Sequence, residues 1–187
     1  MPKPEFPILH AKRLTLREYQ KSDAEILFPL MIDENVSRYL IVWGTLKDAH
    51  NYVRSMRKQF RQRQLVNWVI CDKTSGAPMG HIALQPIDRS NNSASVGFWL
   101  GHAFWGKGYL TEALTVVLNY AFSTIELNRV SGGHAAGNEA SGRVQQKCGM
   151  QYEGTHRQSF LKKGQYYDNL MYAITKDDWL AERDNAS

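Results

Sequence analysis

Only two of the 187 residues are cysteines, Cys71 and Cys148, too few for a disulfide framework and without the close spacing of a metal site. A reducing compartment follows as the expectation, and with it a cytoplasmic location. No run approaches the roughly 18 apolar residues of a membrane-spanning helix. The opening MPKPEFPILHAKR has no apolar centre of the kind a secretory signal needs, so a soluble intracellular protein is expected. Proline is scarce, at six, and no Pro/Gly/Ser-rich stretch or internal repeat divides the chain. One domain spanning 1–187 is therefore expected, with its core over 8–176 and flexible ends at 1–7 and 181–187. Two phosphate-binding signatures are missing as well. A P-loop needs Gly, four residues, then Gly-Lys-Ser/Thr, and only GKG is present. A dinucleotide fingerprint fails because position 111 is Thr and the preceding strands read as hairpins.

What is present is a normal globular composition, 43% hydrophobic, at a length where folding hides roughly 70% of the unfolded surface. The net charge of +5 suits either a nucleic-acid surface or a smaller anion. The densest basic run, RSMRKQFRQR over 54–63, spreads its charges all round a helix rather than along one groove, so it reads as a solvated face.

The periodicities give an α+β order. RLTLREY alternates like a half-buried strand, and Ser22 with Glu25 forms a capping box before a first helix carrying Ile26, Leu27, Leu30 and Met31. Thr45 and Asp48 repeat that signal for a helix to about Arg63, with Tyr52, Val53, Met56 and Phe60 inward. The loop between them leaves Tyr39, Ile41 and Trp43 looking exposed. VNWVICDK and MGHIALQPI bracket TSGAP as a hairpin, and SNNS turns into a strand over 94–101. A helix over 108–122, a strand in NRVSGGHA and a short helix closed by Gly149 follow. A last hairpin turns at Gly164, and KDDWLAERD makes a helical tail.

One junction carries chemistry. In WLGHAFWGKGYLTEALTVV a strand meets two glycines and opens directly into a helix. The first amides of a helix have no internal partner, and the macrodipole adds about half a positive charge there. Glycine lets an anion approach the backbone, and Lys107 adds charge at the same turn. Taken alone, the turn could equally be a plain connection. Some thirty residues on, NEASGRVQQKCGM places Asn138 at a strand end and Ser141 three residues later, on a helix. By themselves these are an N-cap and a polar surface serine.

Together the two segments closely resemble the GNAT superfamily of N-acetyltransferases, in its Rim-type branch of ribosomal-protein N-terminal acetyltransferases. The likeness starts at ILHAKRLTLRE, resumes at the strand 79–84 and ends at GQYYDNLMYAIT with Trp179 after it. It implies a single domain built on a mixed, mostly antiparallel twisted sheet of about seven strands with helices on both faces. A V-shaped splay is implied between the fourth strand, 94–101, and the fifth, 130–135, and acetyl-CoA would lie in it. The diphosphate would rest on the turn of Trp105, Gly106, Lys107, Gly108, Tyr109, Leu110 and Thr111. The Leu100 amide would bond the acetyl carbonyl, Asn138 the pantetheine arm, and Ser141 the sulfur; Leu100 and Ser141 are thus the implied catalytic groups. No metal is implied. This sequence departs from the general superfamily pattern at Trp105, where Gln or Arg is usual although this branch carries tryptophan, at Leu110, where Gly or Ala is usual, and at Gln145, where many members carry a tyrosine acid.

The implied reaction is direct attack of a neutral amine on the thioester. An N-terminal α-amine, with a pKa of about 7.7–8.0, needs little help from a base, whereas lysine at about 10.4 needs more. Stronger bases, if used, are among His81, His102, His134, Glu112, Glu153 and Asp168. Glu112 also fits as a helix-dipole partner. Cys148 has no predictable histidine partner and is set aside as a nucleophile. The acceptor wall is expected from Tyr39, Trp43, Phe160 and Tyr166, with Asp168 as its carboxylate. The expected acceptor is a protein or peptide N-terminus. A small amine such as an antibiotic or polyamine, and a non-enzymatic CoA-binding or nucleic-acid-binding module, remain as alternatives. No membrane partner is expected, and a homodimer stays open.

Overall fold

The computed structural model describes residues 5–40 and 42–185. The chain runs β1 (Leu9–His10), β2 (Leu14–Arg17), α1 (Asp23–Ile32), α2 (Glu34–Ser37), α3 (Leu46–Arg61), β3 (Val66–Asp72), β4 (Pro78–Asp88) and β5 (Ser93–Leu100). A single 3-10 turn, His102–Phe104, precedes α4 (Tyr109–Ser123). β6 (Arg129–Ala135), α5 (Glu139–Lys147), β7 (Gln151–Lys162), β8 (Gln165–Thr175) and α6 (Lys176–Asn185) complete it. The eight strands form one sheet in the order β1-β2-β3-β4-β5-β6-β8-β7. The strand beyond the expected seven is the two-residue β1. Every neighbouring pair is antiparallel except β5 and β6.

The sheet is covered on both faces, and β3 shows why its sequence is apolar throughout. Trp68 and Ile70 point into one core with Leu84, Leu114, Val117 and Phe122; Val69 and Cys71 point into another with Tyr19, Leu27, Val53 and Met56. A strand buried on both sides cannot alternate with polar residues. Contacts also extend past the expected 8–176 span. Phe6 lies 4.7 Å from the Phe60 ring, Trp68 donates its indole N–H to Pro7 O at 2.7 Å, and α6 carries Trp179 onto Phe122 at 5.4 Å.

Three local expectations are corrected. Ser22 is αR and makes no cap bond; Asp23 instead takes the Gln20 amide and pairs with Arg17 at 2.8 Å, buried, so the Ser22–Glu25 capping box does not form. The cations of 54–63 do not fall all round α3. Val53, Met56 and Phe60 fill the inner face, Arg57 bonds Glu18, and Arg54, Lys58 and Arg61 lie outside. Trp43 is 9% exposed and packs against Tyr52 and Trp99, because its large apolar ring completes the second core rather than facing an acceptor. Ile41 lies outside the described residues. The Thr45–Asp48 capping box is present in full.

Candidate active site

The parallel ladder between β5 and β6 runs from Ser93↔Arg129 to Val96↔Gly132 and stops there. Beyond it β5 stays with β4 as far as Leu100↔Gly80, and β6 stays with β8 as far as Ala135↔Asn169. Two strands held by opposite neighbours must part, and the sheet opens in a V. A cleft of about 410 Å³ occupies it, lined from β5, the turn before α4, α5, and the segment around α2.

Backbone alternation decides what faces the gap. Gly101 donates its amide to Met79 O at 2.9 Å, so odd-numbered residues of β5 bond β4, and the N–H and C=O of Phe98 and Leu100 point the other way. Trp105 reaches back and donates its indole N–H to Leu100 O at 2.8 Å. That leaves the Leu100 amide directed into the cleft.

At the cleft mouth, Gly106 and Gly108 have φ of 73° and 77°, a region costly for side-chain-bearing residues, and both are exposed. A Cβ on Gly106 would meet nothing within 4 Å, so the backbone there is bare. The first acceptor bond of the helix is Glu112 N–H to Gly108 O; the amides of Tyr109, Leu110 and Thr111 precede it without an intrahelical partner. Gly106, Gly108, Tyr109, Leu110 and Thr111 all line the cleft, and Leu110 also packs against the main core. The residues present therefore fit a diphosphate. Lys107 does not line the cleft: its Nζ donates to Ala103 O at 3.0 Å.

On the opposite wall, Asn138 occupies the N-cap position of α5, yet its side chain makes no cap hydrogen bond. Asn138 and Ser141 both line the cleft. Arg143 and Lys147, four residues apart on the same helix, add two cations to that wall, a pair that sequence reading passed over although the i, i+4 spacing carries it. Gln145 faces inward instead, 1% exposed, donating to Ser141 O at 3.3 Å. The residue standing where a tyrosine acid was sought is therefore beneath the helix. Cys148 is buried as well, and burial pushes its thiol up to about 11, so no thiolate is available.

Of the residues expected to face the acceptor, Tyr39 alone lies on this lining. Tyr39 lines the cleft and donates its hydroxyl proton to Gly137 O at 2.9 Å, beside Asn138. Phe160, Tyr166 and Asp168 lie on the β7–β8 hairpin and outside the lining: Phe160 packs on Tyr167, Tyr166 is exposed, and Asp168 accepts the Gln158 amide at 2.8 Å. Lys162 bonds the Ser37 and Leu40 carbonyls, which ties that hairpin to the segment bearing Tyr39.

The candidate bases are elsewhere too. His81 sits in the core on the Tyr19 hydroxyl, and burial lowers its pKa to about 3. His134 stacks on Tyr172, Glu153 pairs with Arg129, and Glu112 is held by Arg13. His102 lies against Trp105 with Asn35 at 3.2 Å, next to the lining but not part of it. Among the described residues that line the cleft, none is His, Asp or Glu.

A strand-splayed sheet with a bare glycine turn and a helix N-terminus at its mouth defines a class, and comparison with known proteins names it. The family described as acetyltransferase (GNAT) domain matches residues 13–151, and the chain belongs to that family. YoaA of Bacillus subtilis, an uncharacterized N-acetyltransferase, is 29% identical, with 91% of this chain and 98% of YoaA covered. The [ribosomal protein uS5]-alanine N-acetyltransferase of Escherichia coli is 30% identical over 50% of this chain and 48% of its own. RimL, a ribosomal L7/L12 α-N-protein acetyltransferase solved with coenzyme A, superposes with a TM-score of 0.84 at 20% identity, covering 92% of this chain and 98% of RimL. The protein is a GNAT-type N-acetyltransferase of the Rim-type branch. Enzymes of this family take their acetyl group from acetyl-CoA. Among the described residues, no helix is long and apolar enough to cross a membrane.

Proposed function

We propose that the chain transfers the acetyl group of acetyl-CoA to the α-amine of a protein or peptide N-terminus, by direct attack within a ternary complex. The observation carrying the choice of acceptor is the cleft lining, which has two cations and, among the described residues, no carboxylate or imidazole. Such a site cannot deprotonate a lysine ammonium near pKa 10.4, but an α-amine near 8 arrives partly neutral. The positive wall also disfavours a polyamine.

Acetyl-CoA supplies the activated acyl group, and the chain's part is electrostatic and positional. The amides of Gly106, Gly108, Tyr109, Leu110 and Thr111 hold the diphosphate, with Trp105 fixing the turn through Leu100 O. Lys107 serves that turn by its charge alone. Asn138 bonds the pantetheine arm. The Leu100 N–H donates to the acyl oxygen as negative charge builds on it, a contribution of about 3 kcal/mol for a well-placed donor. The Ser141 O–H bonds the departing sulfur. Tyr39 borders the amine's approach, and the hairpin bearing Phe160, Tyr166 and Asp168 is tied through Lys162 to the segment that carries Tyr39. Free buried thiols at Cys71 and Cys148 suit a cytoplasmic enzyme.

The test is thiol release from acetyl-CoA with a panel of acceptors: peptides with free α-amines, peptides whose only amine is lysine, polyamines and aminoglycosides. Turnover is expected with the first group, with log kcat/KM rising at unit slope to a bend near pH 8. Release only with lysine or small amines would reject the acceptor reading. No CoA binding to the wild type would reject the site.

A further inference from the structure

One basic side chain beside the anion-binding turn comes from the other end of the sequence. Arg13 stands in the turn joining β1 to β2, fixed at both backbone groups: its amide donates to Glu112 Oε1 at 2.5 Å, and its carbonyl accepts the Lys73 amide at 2.9 Å. Its Nε donates to Glu112 Oε2 at 2.8 Å, and its guanidinium carbon sits 4.4 Å over the Tyr109 ring. The free end of the fork, Nη2, lies 3.7 Å from where a Cβ on Gly108 would be. So the guanidinium is anchored by one edge and presents the other to the bare turn.

We propose that Arg13 is a cofactor-binding residue whose guanidinium completes the diphosphate cradle at the start of α4. The inference rests on the proposed placement of acetyl-CoA in the cleft. Glu112 gives it a physical necessity. A carboxylate in the first turn complements the helix dipole, but it also sets a negative charge beside the amides that must receive a diphosphate. Arg13 cancels that charge and aims its remaining N–H groups at the turn. Arginine suits the task, because a planar fork can bond a carboxylate along one edge and a phosphate along another. Lys107, whose ammonium bonds Ala103 O, and Arg143 and Lys147 on the far wall are the other cations around this anion.

The test is CoA affinity by calorimetry, at 0.05 M and 0.5 M salt, for the wild type, Arg13→Gln, Glu112→Gln and the double variant. Unliganded thermal unfolding records any loss of fold. Arg13→Gln is expected to weaken CoA about tenfold at low salt, with a smaller loss at high salt, since the group is part-exposed and screened. Glu112→Gln should leave affinity equal or tighter, and the double variant should recover part of the loss. Competition by S-acetylpantetheine, which has no diphosphate, should be unaffected by Arg13→Gln. A mere brace between strand turn and helix predicts something else: both single variants weakening CoA alike, with no salt dependence. That result, or an Arg13→Gln protein binding CoA as the wild type does, overturns the proposal while leaving the site intact. A wild type that binds no CoA overturns both.

Discussion

Asn138 and Ser141 sit three residues apart on one wall of the cleft, and neither spends its side chain on the fold. An asparagine engaged as an N-cap typically stabilises by about 1 kcal/mol. Because Asn138 makes no cap bond, Asn138→Ala should change unfolding free energy by less than about 0.5 kcal/mol, measured by urea denaturation, while weakening CoA about tenfold. Ser141→Ala should instead lower kcat by about tenfold or more, with CoA affinity nearly unchanged. The sequence singles these two residues out only through the family resemblance that they share with the glycine turn some thirty residues earlier. Gln145 shows where that legibility ended. Its position was marked by spacing, but whether a side chain on α5 faces cleft or sheet depends on helix phase against β6, which one sequence does not encode locally. Trp43 failed for a related reason: a tryptophan closing a short apolar run between two helices looks like a docking surface until Tyr52 and Trp99 close around it.

At the scale of elements, two helix starts carried the same sequence signal and met different fates. Thr45 accepts the Asp48 amide at 3.2 Å and Asp48 returns the bond to the Thr45 amide at 2.9 Å; Ser22 makes no such bond. Thr45→Ala should therefore cost about 1 kcal/mol and Ser22→Ala close to nothing, compared by denaturant midpoints. Arg17 explains the difference. Its pairing with Asp23 draws the first turn of α1 inward, a contact between strand and helix that local pattern reading cannot weigh. The long elements were legible for two reasons: α4 sustains a helical period, and the β3–β4 hairpin shows as two apolar runs on either side of the TSGAP turn. The four-residue α2 and the 3-10 turn were not, being too short for a period to register. Asn35 and Val36 of α2 and Phe104 of the 3-10 turn line the cleft, so that part of its wall was the least readable.

The whole molecule carries a titration that the site does not use. His81, in the core on Tyr19, is pushed down to about 3 by burial, against 6.5 when unfolded. Below pH 6.5 the unfolded chain takes up a proton that the fold refuses, so stability should fall by about 1.4 kcal/mol per pH unit between 6.5 and the folded value, and not change from this source above 6.5. Thermal unfolding at pH 7.5 and 5.0 should show the decline, and His81→Gln, which keeps a partner for the Tyr19 hydroxyl, should flatten it.

The central claim is that main-chain amides where the parted sheet meets α4 grasp the diphosphate of acetyl-CoA. Hydrogen exchange read by mass spectrometry, with and without saturating CoA, tests it most directly. The account predicts slowed exchange over 106–111, together with a smaller effect around Asn138. Tight CoA binding that left exchange over 106–111 unchanged would contradict it.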